Sequence, residues 1–365
     1  MTSRRPLLVA LRALKLGDLL TGLPALRALR RAFPEHRCVL LAPGWLSHLA
    51  MYAGAADEVM PHPGLVAIPR CLHGADVAVD LHGRGPGSQP LLLEARPAQL
   101  LCFAHPEVPG TEHGARWLPV EHETARWCRM LSHYGIHADP GDLDIKLPPM
   151  RPGTPAAFRA GLEYATIVHP GAASRSRRWP PERFAAVARS ELEKGRPVLV
   201  SAGPGEISLA HQVVAGATTT QERTGTQERT VLGSPCTGGA PRIEVLNCTS
   251  LLDLAAVLGR CGRLVSGDTG VSHLATALRV PSVVLCGPVG PHLWGPPAAR
   301  PWHISLWTGR DGDPRAAELD PGLAEITVDQ VLDALAALDA LSHPGASHAF
   351  NISIAGAAFV QRTAP

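Results

Sequence analysis

The chain is predicted to adopt an α/β fold with two parallel, doubly wound sheets, on the basis of three observations. Strand and helix patterns alternate through the first half of the 365 residues, a segment rich in proline and glycine interrupts them, and the alternation then resumes. Alternating strands and helices pack as a parallel sheet with helices on both faces. We therefore expect one domain over residues 1–150 and a second over residues 151–330.

The elements of the first half follow from short apolar runs and from apolar residues repeated at helical spacing. The apolar runs predict strands over 7–11, 37–42 and 76–81. The helical spacing predicts helices over 19–31 and 45–53. The segment 147–155 has no such period and is rich in proline, so it marks the linker between the two domains.

The second half repeats the pattern of the first. Apolar runs predict strands over 166–168, 197–202, 243–246, 263–265 and 282–285. Helices are predicted over 181–193, from 206 onward, and over 251–258, 270–278 and 328–341. Ligands of doubly wound sheets bind beyond the carboxyl ends of the strands. Two such Rossmann-like domains would therefore present their binding loops to a cleft.

Two segments fall outside this alternation of strands and helices. The polar stretch 216–242 contains Thr-Gln-Glu-Arg-Thr at 220–224 and again at 226–230. A tandem repeat of this composition predicts a disordered insert. The tail 343–365 has no strong period and is also a candidate disordered segment.

Composition narrows the class of protein. A hydrophobic content of 45% and a charged content of 18% are typical of a globular chain with sizeable cores. A net charge of +2 does not indicate a nucleic-acid partner, and the eight scattered cysteines favour reduced thiols over disulfides or a zinc site. The chain contains neither a signal-peptide pattern nor about 18 consecutive apolar residues. We expect a cytoplasmic protein with at most peripheral membrane contact.

The segment 266–278 carries the most information about function, because it joins a predicted strand to a predicted helix through Asp268, Thr269 and Gly270. The first N–H groups of a helix have no partner within the helix and lie at the positive end of its dipole. Such a junction is suited to hold a diphosphate without a metal. A plain N-cap role for Asp268 or Thr269 is the alternative.

Two other motifs also follow predicted strands. Leu16-Gly17-Asp18 comes shortly after the strand over 7–11. His169-Pro170-Gly171 leads into a basic cluster, in which Arg175, Arg177 and Arg178 precede the helix over 181–193. A guanidinium on such a loop can pair bidentately with a phosphate, although many charge clusters on loops are only solvated surface.

Taken together and in this order, the three motifs resemble glycosyltransferase family 9, the heptosyltransferase family of bacterial surface-polysaccharide assembly. The resemblance extends over about residues 6–341 and includes Gly287-Pro288 and Trp294-Gly295-Pro296. It implies a GT-B architecture, in which two Rossmann-like domains face a cleft and the helix over 328–341 crosses back to the first domain. It also implies a donor resembling ADP-heptose and a glycan or glycoconjugate acceptor, typically a growing lipopolysaccharide core.

The resemblance assigns the general base to Asp18, since the acidic residue of the family's Leu-Gly-Asp motif falls there. From the residues alone, Asp18 is a carboxylate at the tip of a loop before a helix, where it would suit either a base or an N-cap. An inverting transferase needs a base of this kind to activate the acceptor hydroxyl.

The predicted donor-binding residues all lie in the second half of the chain. Arg177 is the principal candidate for the diphosphate, and because the family commonly has lysine there, Arg175 or Arg178 would share the task. Glu206 follows a glycine turn after a strand and matches the family's ribose-binding acid, with a role at the start of a helix as the alternative. The remaining candidates for this site are Gly171, Asp268, Thr269, Gly270 and His273.

Acceptor recognition is predicted in the first domain. Asp80, His82 and Arg84 follow the strand over 76–81, and Lys15 precedes the predicted base. Family members often carry glutamine where His82 stands, so the acceptor itself is left open. Clustered histidines around His113 and His122 match no common metal site, and we expect neither a metal nor another cofactor.

The sequence therefore predicts a metal-independent, inverting glycosyltransferase. A non-catalytic nucleotide-binding protein of the same fold is the principal alternative. A nucleotide-dependent oxidoreductase is disfavoured, because the first strand leads into Ala13-Leu14-Lys15-Leu16-Gly17-Asp18 rather than G-x-G-x-x-G.

Overall fold

A computed structural model describes residues 5–152, 154, 159–219, 242–246 and 248–342. The chain divides into two compact units, Met1–Lys146 and Leu147–Pro365. Most of the stretch 216–242 and the whole tail 343–365 lie outside the described residues. None of the helices in the described ranges is both long and apolar enough to cross a membrane.

The first unit contains a five-stranded parallel sheet in the order β3-β2-β1-β4-β5. Its strands are β1 (Leu7–Leu11), β2 (Arg37–Ala42), β3 (Glu58–Pro61), β4 (Val77–Asp80) and β5 (Gln99–Leu101). The central strand β1 is fully buried, as expected for a strand covered on both faces. This arrangement confirms the predicted doubly wound sheet, with β3 and β5 as additional strands.

The helices of the first unit are α1 (Leu16–Thr21), α2 (Leu23–Ala32), α3 (Ser47–Tyr52), α4 (Gln89–Glu94) and α5 (Glu123–His133). The prediction of one continuous helix over 19–31 is wrong. Pro24 occupies the first turn of α2 and has no N–H group to continue a helix from α1, and Gly22 lies between the two helices. The earlier start of α1 also moves Asp18 from the predicted loop into the first helical turn.

The second unit contains a six-stranded parallel sheet in the order β11-β10-β9-β6-β7-β8. Its strands are β6 (Thr166–His169), β7 (Val198–Ser201), β8 (Ile243–Leu246), β9 (Arg263–Gly267), β10 (Ser282–Leu285) and β11 (His303–Leu306). This sheet confirms the five predicted strands and the doubly wound order, and β11 is an additional strand that was not predicted.

Within the described residues, the α-helices of the second unit are α6 (Pro181–Glu193), α7 (Ile207–Thr218), α8 (Leu251–Leu258), α9 (Gly270–Ala277), α10 (Pro291–Trp294), α11 (Pro321–Glu325) and α12 (Val328–Ser342). One core cluster joins Phe184 of α6, Val265 of β9 and Leu335 of α12. Helix α12 thus packs on the sheet of the second unit. The expectation that this helix crosses back to the first domain stays a prediction.

A buried ionic network fastens α12 to the sheet. Glu191 of α6 is fully buried and accepts hydrogen bonds from Thr166 Oγ1 (2.6 Å) and Arg263 Nε (2.9 Å). Arg263 Nη1 also donates to the carbonyl of Leu335 (3.1 Å) and to Asp339 Oδ1 (2.9 Å). Each charge is therefore compensated inside the protein.

Each sheet has one point where the strand order reverses direction. In the first sheet it lies between β1 and β4, and in the second between β6 and β9. Loops that leave such neighbouring strands run apart and open a crevice at the carboxyl edge of the sheet. The motifs after β6 and β9 fall on the loops that leave these strands or on the helix start that follows, and Leu16-Gly17-Asp18 forms the first turn of α1, shortly after β1.

Candidate active site

The crevice of the second unit is formed by the loops after β6 and β9. Strand β9 ends at Gly267, and Asp268 and Thr269 lead directly into α9. A Cβ atom at position 267 would lie 3.1 Å from the carbonyl oxygen of Arg177, so glycine lets the two loops approach closely. The structure therefore brings the Asp268-Thr269-Gly270 turn beside the arginine loop.

Thr269 is the N-cap residue of α9, with extended backbone angles. Its N–H donates to Ser272 Oγ (3.2 Å), whereas its own buried Oγ1 has no hydrogen-bond partner within the described residues. A buried hydroxyl without a partner is costly, and a ligand oxygen at the helix start would satisfy it. The N-terminal amides of α9 and this hydroxyl together form a suitable anion site.

Asp268 lies between the guanidinium of Arg177 and the imidazole of His273. Its Oδ2 is 3.5 Å from Arg177 Nη1, and its Oδ1 is 3.6 Å from His273 Nε2. The His273 ring also makes an edge contact with Trp294, with 6.1 Å between ring centroids. Asp268 thus holds Arg177 and His273 at the start of α9, and Arg177 keeps 30% of its side chain exposed for a ligand.

Glu206 occupies a second position on the same edge of the sheet. It is the N-cap residue of α7, and its Oε2 accepts the N–H of Gly203 at 3.0 Å. A Cβ at Gly171 would overlap this carboxylate, so glycine is required for Glu206 to lie against the β6 loop. Arg178 Nη2 approaches Glu206 Oε1 at 4.0 Å, while Arg178 Nε donates to the carbonyl of Ala172.

The three arginines of the basic cluster therefore have different environments. Arg177 pairs with Asp268 and Arg178 faces Glu206. Arg175 is exposed, and the described part of the chain provides it with no ion pair. The structure does not bring Arg175 to the other donor residues, so Arg177 and Arg178 are the better candidates.

Two further polar groups are buried at this edge, His169 of the His169-Pro170-Gly171 motif and Ser266 of β9. His169 Nδ1 lies 3.0 Å from Ser201 Oγ, and burial lowers the pKa of His169, which favours a neutral ring. Ser266 pairs with His169 across the β6–β9 ladder, and its buried Oγ has no partner among the described residues. A lone serine within an apolar strand carries no sequence signal for such a position.

In the first unit, the predicted base Asp18 is the third residue of α1. Its Oδ2 accepts the N–H of Lys15 at 3.1 Å, and the residue is partly exposed. The predicted alternative, an N-cap role, is wrong because Lys15 is the N-cap residue. Asp18 instead binds the N-cap backbone from the third position, which leaves its Oδ1 for another partner.

Asp80 is completely buried at the end of β4, and both of its oxygens are engaged. Oδ2 accepts from Ser88 Oγ (2.6 Å) and Oδ1 from the N–H of His82 (3.0 Å). Burial raises the pKa of Asp80 to about 6, against the lowering effects of these two hydrogen bonds and of Arg12. Direct acceptor binding by Asp80 is therefore contradicted, since the residue orders the loop over 82–88 instead.

His82 is partly buried on that loop. Burial and the nearby positive charge of Arg12 lower the pKa of His82, which favours a neutral imidazole. Its Nδ1 is buried without a partner in the described chain, as are both ring nitrogens of His62 after β3. Lys15 and Arg84 are exposed on the same edge. No described group of three or more His, Cys, Asp or Glu side chains could hold a metal ion.

The chain is similar to known proteins both in sequence and in fold. Residues 121–313 match the model of glycosyltransferase family 9 (heptosyltransferase). Lipopolysaccharide heptosyltransferase 2 of Escherichia coli is 29% identical over 169 residues, which are 45% of this chain and 43% of that protein. The Salmonella typhimurium protein of the same name is 26% identical over 167 residues, again 43% of its length. The aligned part is thus less than half of these relatives.

Solved structures extend the likeness of fold to nearly the whole chain. A glycosyl transferase family 9 structure from Veillonella parvula has a TM-score of 0.66 at 21% identity and covers 93% of this chain and 98% of its own. ADP-heptose lps heptosyltransferase II of E. coli has the same TM-score and identity, with 92% and 99% covered. Since the family model matches more than half of the 365 residues, the chain belongs to glycosyltransferase family 9.

Proposed function

We propose that the protein is an inverting glycosyltransferase that moves a sugar from a nucleoside diphosphate to a hydroxyl of a glycan or glycoconjugate. The observation that carries this proposal is the unpartnered Thr269 hydroxyl at the start of α9, beside the Asp268–Arg177 pair. Family membership supports the same reaction. The names of the relatives support a heptose donor carried on ADP and a lipopolysaccharide acceptor.

The second unit would bind the donor. The amides at the start of α9, Thr269 Oγ1 and the Arg177 guanidinium would hold the diphosphate and stabilise its charge as it leaves. His273, fixed by Asp268, would bind a phosphate oxygen or the sugar. Glu206, lying against Gly171, would accept hydrogen bonds from the ribose hydroxyls. In this arrangement protein groups supply the positive charge that the reaction needs.

The first unit would supply the base. Asp18 would take the proton of the acceptor hydroxyl as that oxygen forms a bond to the anomeric carbon. The bond from this carbon to the diphosphate breaks on the opposite face, the diphosphate keeps the electron pair, and the configuration inverts. His82, Lys15 and Arg84 would contact the acceptor. We further propose that the enzyme acts in the cytoplasm, with at most peripheral membrane contact and no nucleic-acid partner.

The binding part of the proposal is tested by calorimetric titration with ADP, UDP, GDP and NAD, each with and without EDTA. Binding of ADP that EDTA does not change supports the proposed donor and the metal-free site. Preference for UDP or GDP would change the donor only. Binding of NAD alone, or of no nucleotide, would contradict the transferase.

The catalytic part is tested by ADP release from ADP-heptose in the presence of heptose-deficient lipopolysaccharide. Asp18→Asn keeps an oxygen for the Lys15 N–H but removes the basic carboxylate, so turnover should fall about 100-fold or more with little change in ADP affinity. Asp139→Asn is the matched control, because this exposed carboxylate also accepts a neighbouring N–H, from Gly141 at 2.8 Å. Full turnover by the Asp18 variant would favour a structural role for this residue.

A further inference from the structure

We infer that Arg12 is a positioning residue for Asp18, so that the buried Arg12 guanidinium sets the rate of the proposed transfer without touching either substrate. This inference rests on the proposed function. Arg12 directly follows β1, and only 1% of the residue is exposed. In the sequence, Arg12 stands between apolar residues, and nothing in that pattern indicates a role in the site.

The guanidinium joins the backbone of the candidate base to the loop after the neighbouring strand. Arg12 Nε donates to the carbonyl oxygen of Asp18 at 2.5 Å, and Nη1 donates to the carbonyl oxygen of Leu81 at 2.5 Å. Leu81 immediately precedes His82. A single rigid group therefore sets the spacing between the first turn of α1 and the loop that carries His82.

The charge of Arg12 is compensated away from the candidate base. Arg12 Nη2 lies 3.3 Å from Glu123 Oε1, which also accepts from Trp127 Nε1 at 2.7 Å. The guanidinium carbon lies 4.9 Å from the centre of the Trp127 ring. These contacts fix the guanidinium against α5. Arg12 therefore bonds to the backbone carbonyl of Asp18, whereas its ion pair is with Glu123 and not with the Asp18 carboxylate.

Gly22 provides the space that the guanidinium occupies. A Cβ at position 22 would lie 2.5 Å from Arg12 Nε and 2.8 Å from Arg12 Cδ. The backbone of Gly22 has φ −85° and ψ −10°, which alanine adopts without strain. The three atoms nearest to this Cβ all belong to Arg12, so Gly22→Ala is a substitution whose closest steric conflict is with the Arg12 side chain.

The test compares Gly22→Ala, Arg12→Lys and Arg12→Met with the parent in the ADP-heptose assay. Displacing the guanidinium should lower kcat about 10- to 100-fold while the KM for ADP-heptose stays within about twofold, because a shift of about 1 Å in a catalytic group has effects of this size. Arg12→Lys should recover part of kcat through one of the two carbonyl contacts. Gly22→Ala should add little in the Arg12→Met background, since its target is already gone.

Leu29→Ala, a buried change in α2, serves as the control for loss of stability. It should lower the unfolding temperature at least as much as Gly22→Ala and leave kcat near the parent value. An unchanged kcat in Gly22→Ala, or additive losses in the double variant, would overturn the positioning role while the parent still transfers sugar. An inactive parent would instead contradict the proposed function.

Discussion

The guanidinium of Arg177 lies 3.5 Å from the carboxylate of Asp268, which joins the two loops that diverge from β6 and β9. Because the side chain of Asp268 is nearly buried and that of Arg177 is 30% exposed, the pair restrains the arginine while leaving part of it open to the crevice. A cation restrained in this way loses less rotamer entropy when it binds a phosphate.

Arg177→Met should weaken ADP binding about 10- to 100-fold, because a charge-assisted contact to a phosphate contributes roughly 1.5–3 kcal/mol. Calorimetric titration measures this change. Arg175→Met is the matched control, since Arg175 is exposed and should change affinity less than about twofold. Equal losses in the two variants would assign the effect to the general positive charge of the loop.

Glu206→Gln should separate recognition of the nucleoside from recognition of the diphosphate. If the Glu206 carboxylate binds ribose hydroxyls, its loss should weaken ADP binding about tenfold and leave the binding of inorganic pyrophosphate unchanged. Competition between the two ligands in the ADP-release assay gives both affinities. A parallel loss for pyrophosphate would place Glu206 at the phosphates, acting through Arg178.

Asp80 should make the stability of the first unit depend on pH. Its pKa is raised from 3.8 to about 6, so its protonated form favours folding and this contribution is lost as pH rises through 6. Asp80→Asn stays neutral throughout. Relative to the parent, the free energy of unfolding of this variant should therefore rise by about 2 kcal/mol between pH 4.5 and 7.5. Urea unfolding at both pH values measures the difference, and a change of opposite sign would contradict the raised pKa.

Arg263→Met should destabilise the second unit by about 3–5 kcal/mol, because it removes the one buried cation of Glu191 among the described residues and leaves this carboxylate only the partly exposed Lys194 and Arg196, at 3.5 and 4.0 Å. The double variant Glu191→Met/Arg263→Met should recover much of this loss. Arg37→Ala provides an exposed comparison, since its pair with Glu58 is accessible on both sides and contributes at most about 1 kcal/mol. A double variant as unstable as the single one would show that packing, rather than charge, dominates at this position.

The elements predicted best are those in which the residues at the helix start and the spacing of the apolar residues both indicate the structure that is observed. Helix α6 begins at Pro181 and ends at Glu193, as predicted, because proline suits a first helical turn and an apolar face follows it. The turn from β9 into α9 was also predicted, since Thr269 is a favourable N-cap residue. The short strand β3 was missed because Glu58, Val59 and Met60 are only half-buried and show no apolar run.

The candidate site was predicted less completely than the fold. Arg177 lies on the loop after β6, as predicted, whereas Asp18 lies in the first turn of α1 rather than on the predicted loop. The burial of Arg12 and Asp80 could not be predicted, because it depends on how the folded chain surrounds them. Glu123 lies 111 residues from Arg12, and Ser88, eight residues from Asp80, meets it only through the conformation of the loop after β4. Arg175 and Arg177 look alike in the sequence, and only the neighbouring Asp268 distinguishes them.

The pairing of β6 with β9 has a consequence during synthesis on the ribosome. Thr166 lies beside Arg263, which is 97 residues later in the chain, whereas its other neighbour Val198 is made much sooner. At about 5–20 residues per second, one edge of β6 waits roughly 5–20 seconds for its partner strand. During that interval its backbone groups are open to pairing with other nascent chains, so production of the folded protein should benefit from fast translation of this segment or from chaperones that bind extended segments.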